Sequence, residues 1–257
     1  MGRLDQRVAL VTGSARGLGA GIAAAFAREG ARVVCADISN PEETVASLEG
    51  AGHKAVVLDV TSSADVDAAI AAIAAEHGSL DIVANNAGVS QPVGTIVNTS
   101  DETIDRVLSV NVKGVIYTAR AAARVMMEQR RGRIINTASQ AGKSAWPEWG
   151  IYSASKAAVI GITQAMALEL APYGVTVNCV CPGTMLTDMT RVGFGETATA
   201  LGADVEELLA TKAASIPAGR LGTPEDMGLM CAWIASDDSR YTTGAQFNLT
   251  GGENVFF

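Results

Sequence analysis

The residues with the clearest chemical potential are a tyrosine and a lysine four positions apart, Tyr152 and Lys156. On a helix this spacing places both side chains on one face, with Cβ atoms about 5 to 6 Å apart. A free tyrosine is a poor base at neutral pH, but a neighbouring ammonium stabilises the phenolate and lowers its pKa. We therefore expect Tyr152 to exchange a proton with a substrate, assisted by the Lys156 charge. The alternative is an amphipathic helix start with a snorkelling lysine.

Two further polar residues are candidates for the same site. Ser139 ends a predicted strand thirteen residues before Tyr152, at the sheet edge where open α/β folds bind ligands, so its hydroxyl can hold a substrate oxygen. Asn111 lies on a predicted inward-facing helix side together with Leu108 and Val115. A buried amide needs hydrogen-bond partners, so taken alone Asn111 is either a polar member of the site or a core asparagine that satisfies a neighbouring backbone group.

A glycine-rich segment follows the first predicted strand and opens a helix. Such glycines allow a tight turn and let backbone N–H groups approach a pyrophosphate at the helix N-terminus. The segment therefore predicts a dinucleotide site. Its candidate binding residues are Gly13, Arg16, Gly17, Leu18 and Gly19.

Asp37 follows Gly19 by eighteen residues, at the end of the second predicted strand. A carboxylate there can accept hydrogen bonds from both ribose hydroxyls of NAD and repels the phosphate that NADP carries at this point. NAD is the predicted cofactor and NADP is less favoured, although Arg16 could meet that phosphate. The alternative is a tight strand-to-helix turn with Asp37 as a helix cap.

The elements that must position these residues alternate short β-branched runs with Ala-rich helical segments, which is typical of βαβ units. We expect an α/β fold: a single Rossmann-type, doubly wound domain over residues 1–257, with a seven-stranded, mostly parallel sheet and helices on both faces. Residues 184–220 break the rhythm and are expected to form an irregular substrate-binding lid with one short helix at 203–212. Thr223, Pro224 and Asp226 predict the start of the last helix.

Composition excludes several classes of protein. The formal net charge of −8 argues against nucleic-acid binding, and no apolar run is long enough to span a membrane. The four cysteines lie in apolar runs, as expected of reduced thiols in a cytoplasmic protein. His53 and His77 lack a second ligand at metal spacing, so no metal is expected.

These motifs together resemble the short-chain dehydrogenase/reductase family. The resemblance covers nearly the whole chain: T-G-x-x-x-G-x-G from Thr12, Asp59-Val60, Asn85-Asn86-Ala87-Gly88, the set of Ser139, Tyr152 and Lys156, and Pro182-Gly183 with Thr187. It implies an enzyme that moves a hydride between a nicotinamide cofactor and a secondary alcohol or ketone. It also implies that Asn111, Ser139, Tyr152 and Lys156 are catalytic, with Tyr152 and Lys156 also touching the cofactor.

The resemblance assigns further cofactor contacts. Asp37 and Ile38 would meet the adenosine ribose, Asp59 and Val60 the adenine, and Asn86, Ala87 and Gly88 the ribose region on the adenosine side. Pro182, Gly183, Met185 and Thr187 would lie against the nicotinamide and its carboxamide.

The segment before Tyr152 should select the substrate. Gln140 and Glu148 offer hydrogen bonds while Trp146 and Trp149 offer flat apolar walls, and with Ser139 and Tyr152 they suit a polyol, sugar alcohol or vicinal diol. The family branches that oxidise polyols or reduce acetoin are similar here. A 3-oxoacyl thioester or hydroxysteroid enzyme of the same fold and a non-catalytic NAD sensor are the alternatives. Because members of the family usually assemble, the resemblance predicts a homotetramer or homodimer, to which the apolar tail Val255-Phe256-Phe257 could contribute.

Overall fold

A computed structural model describes residues 2–255, except for the side chain of Ala200. Seven parallel strands form one sheet in the order β3-β2-β1-β4-β5-β6-β7. This confirms the predicted doubly wound α/β fold, and every predicted strand is present. The strands are β1 (Val8–Thr12), β2 (Arg32–Asp37), β3 (Lys54–Val57), β4 (Ile82–Asn85), β5 (Gly132–Thr137), β6 (Val175–Pro182) and β7 (Gln246–Leu249).

Helices cover both faces of this sheet, because its central strands are buried on both sides and need apolar partners. The helices are α1 (Gly17–Arg28), α2 (Glu42–Ser47), α3 (Ser63–His77), α4 (Asp101–Leu108), α5 (Val115–Gln129), α6 (Gly150–Leu170), α7 (Asp188–Leu201), α8 (Val205–Ser215) and α9 (Pro224–Ala235). One core cluster joins the sheet to α1 and α9, through Phe26 and Met227 among others. A second joins the opposite face to α3, α5 and α6, through Ile70 and Met126 among others.

The order of the strands fixes where a ligand can bind. The chain runs outward from β1 to β3 and then returns to place β4 on the other side of β1. The connections that leave the carboxyl ends of β1 and β4 therefore run in opposite directions, which makes this point a topological switch point. In open α/β sheets the crevice at such a point binds the ligand.

The segment 184–220 is not the irregular lid that we expected from the sequence. It contains two helices, α7 and α8, where only one short helix was predicted. Phe194 of α7 packs on a small apolar cluster that includes Leu209, Ile216 and Leu221. This packing stabilises α7 although its own residues are poor helix formers. Backbone bonds of Thr184 and Leu186 with Gly222 hold the two ends of the segment together.

The last helix begins as predicted. The Thr223 hydroxyl accepts from the Asp226 N–H, and the Asp226 carboxylate accepts from the Thr223 N–H, so the two form a reciprocal cap ahead of α9.

Two other expectations concern the ends and surface of the chain. In the described part of the chain no helix is long and apolar enough to cross a membrane. Val255 is largely exposed, whereas Phe256 and Phe257 lie outside the described residues.

Candidate active site

The glycine loop between β1 and α1 has the geometry of a dinucleotide cradle. Gly13 and Gly17 adopt positive φ values of 66° and 58°, a conformation that residues with a Cβ rarely take. A Cβ on Gly19 would lie 2.0 Å from the Gly13 carbonyl oxygen, so this turn closes only on glycine. A Cβ on Gly17 would meet only Thr187, at 3.8 Å. The loop therefore leaves a bare backbone surface that fits a pyrophosphate.

Asp37 lies beside this loop at the carboxyl end of β2. Its Oδ2 accepts from the Ala15 N–H at 3.0 Å and its Oδ1 from the Ser39 N–H at 3.0 Å. Asp37 thus supports the glycine loop and is not the helix cap of the alternative interpretation. Each oxygen has a further lone pair, so the carboxylate can also accept from ribose hydroxyls. Ile38 and Arg16 are exposed at the same edge.

The next two strands place the remaining adenosine-side candidates. Asp59 Oδ1 accepts from both the backbone and the hydroxyl of Thr61, and Val60 packs against Gly114. Asn86 Nδ2 donates to the carbonyl oxygens of Thr12 and Gly13. The structure therefore uses the Asn86 side chain to fasten the glycine loop to the end of β4.

Ser139, Tyr152 and Lys156 come together at the carboxyl ends of β5 and β6. Ser139 follows β5, and its Oγ accepts from the Ala141 N–H at 3.1 Å. Lys156 is buried, and its Nζ donates to the Thr137 carbonyl at 2.8 Å. The same Nζ lies 5.7 Å from the centre of the Tyr152 ring. Three side chains of the predicted set thus lie together at one end of the sheet.

The electrostatics of this pocket differ from our expectation in one respect. Burial raises the pKa of Tyr152 above its ordinary value, and the hydrogen bond from Ser139 only partly offsets this. Lys156 does not reverse the direction, since its ammonium faces the ring and the Thr137 carbonyl. Burial also lowers the pKa of Lys156 to about 8. In the chain by itself less of Tyr152 is therefore ionised at neutral pH than we expected from the sequence, and a positive charge bound beside it would favour the phenolate.

Asn111 is fully buried inside a π-helical turn, Ser109–Gly114, that joins α4 to α5. This turn interrupts the continuous helical face that we expected, and π-turns are frequent at functional sites. The Asn111 amide bonds both the N–H and the carbonyl of Val89 and donates to Ser155 Oγ. A Cβ on Gly88 would lie 3.3 Å from Asn111 Oδ1 and 3.5 Å from Lys156 Nζ. Asn111 thus satisfies backbone groups and also lies beside the lysine.

The nicotinamide-side candidates form the exit of β6. Pro182 is the last residue of the strand, Met185 is buried, and Thr187 caps α7 by accepting from the Thr190 N–H. Gly183 is required by close packing, because a Cβ there would lie 2.8 Å from the Glu253 carboxylate.

Of the four substrate candidates before Tyr152, the two tryptophans lie near the tyrosine, whereas the two polar residues are directed elsewhere. Trp149 meets the Tyr152 ring edge-on at 5.9 Å, and Trp146 is half-buried in the same loop. Glu148 is exposed. Gln140 is fully buried, and its Oε1 accepts from Asn254 Nδ2 at 2.6 Å, so it faces the C-terminal segment.

Sequence reasoning missed two polar residues around the site, the buried Gln91 and the half-buried Glu253. Gln91 bonds the start of α6, and Glu253 bonds Thr184 and Lys212. Gln91 follows the Asn-Asn-Ala-Gly motif closely, which was the only local signal. Nothing nearby in the sequence marks Glu253.

The site has three parts: a glycine cradle, an acid at the end of β2, and a serine, tyrosine and lysine at the carboxyl edge of the parallel sheet. Together they define a nicotinamide-dependent oxidoreductase of alcohols and ketones.

Comparisons with known proteins agree with this class. A family model described as "Enoyl-(Acyl carrier protein) reductase" matches residues 13–254. The galactitol 2-dehydrogenase of Agrobacterium fabrum (strain C58 / ATCC 33970) is 40% identical over 252 residues, which are 97% of this chain and 98% of that protein.

Solved structures extend the comparison. An NAD+-bound xylitol dehydrogenase has a TM-score of 0.89 and 30% identity, covering 97% of this chain and 99% of that one. An actinorhodin polyketide ketoreductase with NADPH has a TM-score of 0.93 and 32% identity, covering 100% of both chains. The chain belongs to the short-chain dehydrogenase/reductase family, and it is an enzyme of the alcohol dehydrogenase/reductase type with a nicotinamide cofactor.

Proposed function

We propose that this enzyme reversibly oxidises a polyol, sugar alcohol or vicinal diol with NAD. The observation that carries the proposal is the convergence of Ser139, Tyr152 and the buried Lys156 at the carboxyl ends of β5 and β6, where Lys156 Nζ lies 5.7 Å from the centre of the Tyr152 ring. The similarity to a galactitol and to a xylitol dehydrogenase supports the substrate class.

The chain's own residues divide the work as follows. Ser139 and Tyr152 hold the carbinol oxygen, and the Tyr152 phenolate takes its proton. Lys156 and Asn111 pass that proton toward solvent. When bound, oxidised nicotinamide supplies the hydride acceptor and the second positive charge that favours the phenolate. Residues 184–220, as the lid of a single domain 1–257, close over the substrate.

Asp37 supports NAD over NADP, because it adds negative charge where NADP would place a phosphate. Asp37→Asn should reduce the preference for NAD at least about tenfold, which corresponds to about 1.4 kcal/mol. The ratio of kcat/KM with the two cofactors measures this. Glu43→Gln, which removes a charge from the exposed part of the following helix, is the matched control and should leave the ratio unchanged. An unchanged ratio in Asp37→Asn would contradict this role.

A second candidate substrate is a secondary alcohol with an apolar substituent, such as a hydroxysteroid. Gln140 bonds Asn254 and Lys143 Nζ donates to Asn248 at 2.6 Å, so both are engaged away from a polyol. Trp146 and Trp149 remain as flat apolar walls.

The proposal extends to assembly and compartment. One side of α6 exposes the apolar or small residues Ala154, Ala157, Gly161 and Leu168, a surface suited to a second copy in a homotetramer or homodimer.

The four buried free cysteines suit the reducing cytoplasm.

The test is a set of initial rates of nicotinamide reduction with NAD or NADP. The substrates are polyols, vicinal diols, hydroxysteroids and simple secondary alcohols. Highest kcat/KM for a polyol or diol with NAD is the expected result. Preference for a hydroxysteroid would favour the second candidate, and no turnover of any alcohol despite NAD binding would refute the proposed function.

A further inference from the structure

The catalytic helix α6 begins without a cap of its own. Its N-cap residue, Trp149, makes no side-chain capping bond, although the first N–H groups of a helix need acceptors from outside it. The Tyr152 N–H lies in this first turn. It donates to Gln91 Oε1 at 2.8 Å, so a side chain from the loop after β4 caps the helix at the catalytic tyrosine itself.

The other end of the Gln91 amide holds the preceding residues. Gln91 Nε2 donates to the Glu148 carbonyl at 3.0 Å, and the Gly94 N–H donates to the same oxygen at 3.1 Å. Glu148 has a φ of 66°, a left-handed conformation that persists in a non-glycine residue only when its surroundings enforce it. The bonds from Gln91 and Gly94 provide this constraint.

Between these two bonds lies Trp149, which forms a wall of the pocket. Its ring contacts the Tyr152 ring edge-on, and a Cβ on Gly193 of α7 would lie 3.7 Å from Trp149 Cη2. Gln91 is itself only 3% exposed, so its amide is not shared with solvent. One side chain therefore fixes the backbone on both sides of Trp149.

We propose that Gln91 is a positioning residue that sets Tyr152 and Trp149 relative to Ser139. The role requires an amide, because one atom must accept from an N–H and the other must donate to a carbonyl. A carboxylate could accept from the Tyr152 N–H but could not donate to the Glu148 carbonyl, and an alkyl group could do neither. The inference rests on the proposed function in that Tyr152 is taken as the proton acceptor.

Gln129 offers a matched control. Its Oε1 accepts from the Leu80 N–H at 2.9 Å and its Nε2 donates to the Leu80 carbonyl at 3.0 Å. It therefore makes the same pair of bonds as Gln91, but Leu80 precedes β4, at the opposite edge of the sheet from Tyr152.

The experiment compares Gln91→Leu, Gln91→Glu and Gln129→Leu with the unchanged enzyme. We expect Gln91→Leu to lower kcat for the best alcohol about 10- to 100-fold, as small misplacements of reacting groups do, with the Kd for NAD changed by less than about twofold. Gln129→Leu should lower the unfolding temperature comparably and leave kcat unchanged. Equal losses of kcat in Gln91→Leu and Gln129→Leu, or none in Gln91→Leu, would overturn the proposal.

Amide hydrogen exchange provides a readout that does not need a known substrate. Gln91→Leu should speed exchange at Tyr152, whereas Gln91→Glu should keep the acceptor and the protection but recover only part of kcat. Unchanged exchange at Tyr152 in Gln91→Leu would overturn the role of Gln91. Absence of turnover in the unchanged enzyme would instead refute the proposed function and leave the exchange result standing as the test of the cap.

Discussion

Ser139 favours the ionised form of Tyr152, so it affects the pH at which the tyrosine can act as a base. Burial raises the pKa of Tyr152, while the bond from Ser139 lowers it. Tyr152 can take a proton only in its phenolate form, which predominates above its pKa. The pH dependence of alcohol oxidation therefore reports on this contact.

Ser139→Ala removes a hydrogen bond that favours the Tyr152 phenolate. We expect the rising limb of kcat/KM for alcohol oxidation to move to higher pH, together with a loss of roughly 100-fold in kcat. The measurement is a pH profile with saturating cofactor. Ser144→Ala, an exposed serine in the same loop, is the control, and a profile of Ser139→Ala that superimposes on it would contradict the coupling.

At this scale the sequence predicted which residues meet and failed on what some of them do. Ser139, Tyr152 and Lys156 converge because strand ends and an i, i+4 spacing fix their positions. The orientation of Gln140 toward Asn254, 114 residues later, and the capping role of Gln91 depend on contacts between distant segments. No local pattern encodes such contacts.

Among the elements, residues 184–220 are held in place by the C-terminal segment. Glu253 Oε2 accepts from the Thr184 N–H at 2.9 Å and Oε1 meets Lys212 Nζ of α8 at 2.6 Å. Burial alone would raise the pKa of Glu253, but the bonds from Lys212 and Thr184 outweigh it and hold the pKa below its ordinary value. This carboxylate joins the start of the 184–220 segment to helix α8.

Glu253→Gln should lower the free energy of unfolding by about 1.5 to 3 kcal/mol near neutral pH, the usual range for hydrogen bonds to a charged group. Because the folded-state pKa is lowered, this contribution is present above the unfolded pKa and is lost as pH falls through the folded pKa. Denaturant unfolding of both proteins at about pH 7 and about pH 4 tests the sign. A difference that grows toward acid would contradict the assignment. Glu207→Gln, on the exposed side of α8, should have little effect.

Helix α7 shows why element prediction failed there, whereas it succeeded at α8 and at the start of α9. The α7 segment contains Gly193 and Gly195 and several threonines, all of low helix propensity. Its helix depends on tertiary packing at Phe194. The start of α9 is set by a local cap at Thr223, which can be predicted from four consecutive residues.

For the whole molecule, the fold followed from the alternation of strands and helices, since right-handed βαβ connections allow few sheet orders. The assembly does not follow in the same way. In a single chain the apolar and small residues on one side of α6 are exposed: Leu168 is 81% exposed, and a Cβ on Gly161 would have no neighbouring atom of the described residues within 4 Å. Such a surface is consistent with burial against a second copy.

Leu168→Glu should shift the enzyme toward smaller species, because it places a charge on the surface proposed to be buried between copies. Sedimentation velocity at several protein concentrations measures this. Val57→Glu, at an exposed position of the edge strand β3, should leave the distribution unchanged. Identical sedimentation of Leu168→Glu and the unchanged enzyme would place the contact elsewhere.

The central claim is that Tyr152 is the proton acceptor in NAD-dependent oxidation of a polyol or diol. The most direct test is the rate of nicotinamide reduction by the unchanged enzyme, Tyr152→Phe and the exposed control Tyr241→Phe, with NAD affinity measured on each. The account predicts that Tyr152→Phe loses about 10²- to 10⁴-fold in turnover with NAD binding intact, while Tyr241→Phe is unaffected. Undiminished turnover by Tyr152→Phe would contradict it.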